Sequence, residues 1–111
     1  MAARIKVAAA EDRTADGIVF HSKREMQAYC GFRALEKSGQ IKKLNRQVAF
    51  PLLAYCEGKP VRISEYRADF VITELDGTVR VYDSKGFRTE MFKLKKKWFG
   101  WCYPHLRIVE I

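Results

Sequence analysis

Val79-Arg80-Val81-Tyr82-Asp83-Ser84-Lys85-Gly86 is the stretch on which the reading of the fold turns. Two valines alternate with Arg80 and Tyr82 after an Asp76-Gly77 turn signal, the pattern of a short strand. Strand side chains repeat every two residues, so Val79, Val81, Asp83 and Lys85 share one face. A carboxylate and an ammonium therefore lie side by side where an apolar strand ends. Burying charge without a partner is costly. Either the two ions neutralise each other, or they serve something that needs both signs, such as a divalent cation and a phosphodiester.

Upstream, Val61 to Glu74 reads as a longer strand. Tyr66, Ala68, Phe70 and Ile72 fall on one face and are expected in the core. Glu65, Arg67, Asp69 and Val71 fall on the other. The connection to the quoted stretch sets a register. A two-residue loop at Asp76-Gly77 places Asp69 opposite Ser84. A three-residue loop, Leu75-Asp76-Gly77 with Gly77 left-handed, places Asp69 opposite Asp83. Only the second brings both aspartates to one face, and it is the register expected.

Further upstream, Leu44 to Cys56 is extended. Leu44, Val48, Phe50, Leu52 and Ala54 share a face, with Arg46 the exception. Pro51 has no amide hydrogen, so this strand is expected at a sheet edge or with a bulge. Ser22-Lys23-Arg24-Glu25 has the form of a capping box and opens a helix ending near Ser38, with Gly39 as the stop. Glu25, Ala28, Tyr29, Phe32 and Leu35 follow helical spacing, so the glutamate heads the core-facing stripe. Downstream, Thr89 caps a second helix running to about Cys102. Met91, Leu94, Trp98 and Trp101 or Cys102 form its expected apolar stripe, widened by Phe92 and Phe99. Leu106 to Ile111 is a last strand. It is reached through the helix, so it is expected parallel to a neighbour. The fold class is α/β, in the order α-β-β-β-α-β, with a mixed sheet between two helices. Residues 1–16 are expected to be loosely held and 17–111 to form a single domain.

Lys and Arg number 21 against 13 Asp and Glu, a formal charge of +8. That excess favours a polyanionic partner, nucleic acid before an acidic membrane surface. Cys30, Cys56 and Cys102 are widely spaced, and His21 and His105 are the only histidines, a poor basis for a zinc site or a disulfide framework. No segment has signal-peptide or membrane-spanning character, so a cytoplasmic, soluble protein without a membrane partner is expected.

Asp69, Asp83 and Glu25 are three carboxylates that can repel one another around a small space and favour a hard cation, Mg²⁺ or Mn²⁺. Lys85 can hold an attacking water or offset transition-state charge. His21 is more simply a residue before the helix cap than a base, and Tyr66 and Tyr82 are read as packing. Hydrolysis of a phosphodiester uses all of the charged parts.

The element order, with Asp69, thirteen residues, then Asp83-Ser84-Lys85, resembles the PD-(D/E)XK nuclease superfamily, the restriction-endonuclease-like fold. Phe20, Ser22-Lys23-x-Glu25, Ala68-Asp69-Phe70, Asp83-x-Lys85-Gly86-Phe87 and Thr89-Glu90 resemble a small phage and prophage family of nuclease-like proteins. That family is similar in kind to junction-resolving endonucleases. Ala68 stands where the superfamily motif has proline. The resemblance implies Asp69 and Asp83 as metal ligands, Lys85 as the catalytic lysine and Glu25 as a further helix carboxylate. It implies a Mg²⁺- or Mn²⁺-dependent endonuclease of a bacterial host cell, phage or prophage encoded. The expected partner is DNA, branched or otherwise structured, cut to leave a 5′-phosphate, with no small-molecule cofactor. A short basic chain has little area for reading a long sequence, and two-fold junctions suggest a homodimer. Lys23, Arg67, Lys93 and Lys96 are the expected DNA contacts. The alternative is a non-catalytic nucleic-acid-binding module on the same fold.

Overall fold

The computed structural model of the chain describes residues 7–111. Residues 1–6, part of the segment expected to be loosely held, lie outside the described residues. The remainder of that segment has structure. Ala10–Arg13 form one 3₁₀ turn, and β1 (Thr14–Ala15) pairs antiparallel with β2 (Ile18–Val19). The Asp16-Gly17 turn between them has φ of 51° and 75°, so the expected boundary after residue 16 falls inside a hairpin. The Arg13 guanidinium fastens it, donating to the carbonyls of Ala8 and Phe20.

Helix α1 (Lys23–Lys37) starts at the Ser22 cap, whose hydroxyl accepts the Glu25 N–H at 3.1 Å. It closes with Gly39 at φ 75°, the left-handed position that glycine takes without steric cost. Then follow β3 (Lys43–Cys56), β4 (Lys59–Thr73), β5 (Val79–Asp83), α2 (Glu90–Cys102) and β6 (Ile108–Glu110). These strands form one mixed sheet in the order β3-β4-β5-β6, antiparallel except for the final pair. The expected parallel crossover is there: Val81 lies beside Ile108. Among the described residues the fold class is thus mixed α/β, with two helices and four strands in the main sheet.

Strand β3 lies at the edge, and its register with β4 shifts between Leu52 and Leu53, next to Pro51. Both accommodations open to a strand proline occur together. Helix α2 and the residue that follows it bond to carbonyls of this irregular stretch. The Trp98 indole donates to Leu53 O and the Tyr103 hydroxyl to Pro51 O, each at 2.8 Å.

Both faces of the sheet are covered, and this corrects the expected core. Tyr66, Ala68, Val71 and Val81 pack under α2 with Phe92, Phe99 and Ile108. Phe70 packs instead under α1, with Phe20 and Tyr29, and Phe32 meets its ring edge-on at 5.3 Å. Tyr66 and Ala68 therefore face away from Phe70, although simple alternation puts all three together. The same reversal occurs on β3, where Leu44 packs on the α1 side and Val48 and Phe50 on the α2 side. It explains Arg46, whose guanidinium lies 4.6 Å above the Phe20 ring. The pivot is Gln47, flanked by the pairs Arg46–Phe70 and Val48–Ala68 and held at φ 50°.

Helix α2 is rotated from its expected orientation. Phe92 and Phe99 are buried, whereas Met91, Leu94 and Trp101 are exposed, Trp101 by 84%. The helix carries apolar residues on two sides. The ring cluster of Phe50, Tyr66 and Tyr103 around Phe99 decides which side turns inward. Among the described residues, no helix is long and apolar enough to cross a membrane.

Candidate active site

The β4–β5 hairpin has the three-residue loop, with Gly77 at φ 90° and its N–H donating to Glu74 O at 3.0 Å. Phe70 pairs with Tyr82 and Val71 with Val81, so Asp69 stands across from Asp83 as the strands part. Just beyond the pairing, the Ser84 N–H donates to Asp69 Oδ2 at 2.9 Å.

Asp83 has no exposed surface. Its Oδ2 accepts the Tyr66 hydroxyl at 2.5 Å and lies 3.4 Å from Lys85 Nζ. Among the described residues, its Oδ1 is buried with no hydrogen-bond donor against it. Burial and the adjacent Asp69 carboxyl push Asp83 up to about 7, against the opposing pull of Tyr66 and Lys85. The Tyr66 hydroxyl is itself held far above its usual range by burial and by the acceptor it serves. Lys85 keeps its ammonium 4.8 Å from the Phe92 ring centre, a cation–π contact that limits its motion.

Glu25 is buried, 3% exposed, and closes only half of the capping box. Its amide goes to Ser22. Its carboxylate turns away to the Gln47 side chain, which donates to Glu25 Oε1 at 3.4 Å and to Asp69 Oδ1 at 3.2 Å. The other oxygen lies 3.6 Å from His21 Nδ1. Burial first, then the charge of Asp69, raise the Glu25 pKa, while His21 and Arg46 hold it down.

The three expected ligands are therefore gathered unequally. Asp69 and Asp83 adjoin, whereas the Gln47 amide stands between Asp69 and Glu25. Among the described residues, no group of three or more His, Cys, Asp or Glu side chains surrounds a single metal-sized point. The donor chemistry still suits a hard cation. Two hard oxygen donors lie side by side, and one buried carboxylate oxygen lacks a partner where burial of a bare acceptor is unfavourable.

A cleft of about 520 Å³ opens beside this cluster, between the start of α1 and the loop after β5. His21, Lys23, Arg24 and Lys85 give it a basic lining. Arg24 ties its walls together by donating to Lys85 O at 3.1 Å. The other expected DNA contacts are mostly engaged. Lys96 Nζ lies 2.6 Å from Glu110, which also holds Arg88 at 3.0 Å. Lys93 pairs with Glu90 at 3.1 Å, and Arg67 with Glu65 at 3.3 Å.

Sequence reasoning missed two residues of this cluster. Tyr66 was hidden by strand alternation, which places it on the face opposite Asp69. Gln47 left a faint signal: it follows Arg46, the break in an otherwise apolar face.

The class so defined is a mixed α/β protein with a buried aspartate, an adjoining half-buried aspartate and a lysine where the two central strands part, beside a basic cleft. The chain belongs to the family described as "Protein of unknown function (DUF1064)", whose family model matches residues 5–111. No curated protein and no solved structure matches it.

Proposed function

We propose that the chain is a metal-dependent DNA endonuclease with a restriction-endonuclease-like core. The observation that carries this reading is Asp83. One of its oxygens is anchored by Tyr66 and Lys85, the other is buried with no donor against it among the described residues, and the Asp69 carboxyl adjoins the group. A surface ion pair has no use for such an arrangement, because exposed pairs contribute little and bury nothing.

Asp83 and Asp69 would hold Mg²⁺ or Mn²⁺, with Glu25 a further carboxylate nearby. When bound, the ion neutralises phosphate charge and acidifies water. The chain supplies the remaining functions. Lys85, restrained by Asp83 and the Phe92 ring, presents its ammonium where it can orient the attacking water and offset charge on the phosphate. Tyr66 fixes one Asp83 oxygen and so directs the other. Lys23 and Arg24 line the cleft that receives the strand backbone, where phosphate contacts position but do not read sequence. Structured or branched DNA is the substrate class this favours, and a homodimer would present two such clefts to a two-fold junction. A location in the cytoplasm of a bacterial host, phage or prophage encoded, completes the reading.

A second reading, a nucleic-acid-binding module without catalysis, is favoured by the basic residues that line the cleft, which need no metal to meet a phosphate backbone. One experiment separates them. Purified protein is incubated with supercoiled plasmid, a four-way junction and linear duplex, in Mg²⁺, Mn²⁺ or chelator, beside Asp83→Asn and Lys85→Ala. Metal-dependent cutting that both substitutions abolish supports the nuclease. Binding without cutting under every metal supports the module.

A further inference from the structure

Gln47 is not in a turn, yet its backbone is left-handed. Of the three non-glycine residues with positive φ among those described, Asp16 and Glu57 each precede a glycine in a turn, while Gln47 lies inside a fourteen-residue strand. Side-chain-bearing residues avoid this region, and they persist in it only where the surroundings compel them. The surroundings here are specific. The reversal at Gln47 turns Arg46 to the α1 side and Val48 to the α2 side. It aims the Gln47 amide between two carboxylates from different elements, Glu25 on α1 and Asp69 on β4.

We infer that Gln47 is a positioning residue of the acidic cluster, held in a strained conformation so that its amide fixes Glu25 and Asp69 in place before a cation enters. The inference rests on the nuclease reading. A neutral amide suits the task. It donates to both carboxylates without adding charge of its own, and it leaves each oxygen a further lone pair. A lysine there would cancel part of the negative charge that draws the cation, and a further carboxylate would add to the repulsion. Side chains that orient metal ligands from behind typically change affinity by about 10–100-fold when removed.

The test uses the full chain, with Gln47→Gly and Gln47→Ala beside the wild type. Each is melted in chelator and titrated with Mn²⁺, the free ion being followed by electron paramagnetic resonance. Glycine accepts the left-handed backbone and alanine does not, so Gln47→Gly should melt above Gln47→Ala. Both should bind Mn²⁺ about ten-fold or more weakly than wild type. Should the alanine variant not fold, Gln47→Asn takes its place: it keeps a left-handed preference and a shorter amide, and its Mn²⁺ affinity should also fall. If Gln47→Gly binds Mn²⁺ like wild type, the residue is merely structural and the inference fails alone. If Gln47→Ala melts with Gln47→Gly, there is no strain and the inference fails on that count. A wild-type protein that takes up no Mn²⁺ overturns the nuclease reading and this inference with it.

Discussion

At Asp83 a single carboxyl carries both a stability effect and the proposed chemistry. Its pKa rises from 3.8 to about 7 on folding, chiefly through burial and then through Asp69. Between those values the folded chain keeps a proton that the unfolded chain has lost. Stability therefore falls as pH rises from about 4 to 7, and above that the buried charge opposes folding in full. Asp83→Asn removes this dependence. In chelator it should be more stable than wild type at pH 8, with the gain shrinking toward pH 4.5, as read from urea midpoints. A gain that does not change with pH would contradict the assignment. Glu25 is raised in the same direction, whereas the carboxyls of Glu36 and Glu110 are held low, by the Leu44 amide with Arg33 and by Lys96 respectively. Their stabilisation is lost only below about pH 4.5, so it does not mask the effect. Addition of Mn²⁺ should reverse the sign, since a cation bound only by the folded state stabilises it by mass action.

At the scale of elements, α2 shows how an amphipathic helix is oriented by what it packs against. Its sequence permits two inward faces, and the aromatic cluster about Phe99 selects one. Phe99→Ala should then cost about 3–5 kcal/mol of unfolding free energy, the range for truncating a buried aromatic. Trp101→Ala, though it removes a larger side chain, should stay within about 0.5 kcal/mol. Urea denaturation of the two variants checks this. A larger loss at Trp101 than at Phe99 would mean that the helix is turned the other way. The β4–β5 hairpin behaves differently. Its register follows from the three-residue loop and Gly77 alone, and through it Asp69 reaches Asp83.

Over the whole molecule, a flat body of 50 × 48 × 20 Å carries a charge of +8, which acts on polyanions at a distance. Net charge does not say which cations are available. Lys23 lines the cleft, while Lys96 is tied to Glu110. In DNA-binding titrations over salt concentration, Lys23→Ala should weaken binding to all sequences and reduce the slope of log K against log[salt] by about 1. Lys96→Ala should leave the slope near that of wild type. Equal reductions at both positions would place the DNA path along α2 instead.

Much of this protein was legible in order of locality. The Ser22 and Thr89 caps, the Gly39 stop, the edge character forced by Pro51, the hairpin register and the parallel last strand all follow from stereochemistry among near neighbours in the chain. Alternation carried that reading no further than Gln47, because one left-handed residue reverses every face beyond it. Tyr66 reaching Asp83, Gln47 bridging Glu25 and Asp69, Glu110 occupying Lys96 and α2 settling on Phe99 join residues far apart in the chain. Such partners are chosen by the shape and dielectric of a packed interior, which exist only once the helices close on the two faces of the sheet. The chain's local chemistry determined its elements and which charged groups meet where two strands part. Tertiary packing alone decided which of those groups are buried, which are already paired and which oxygen is left bare.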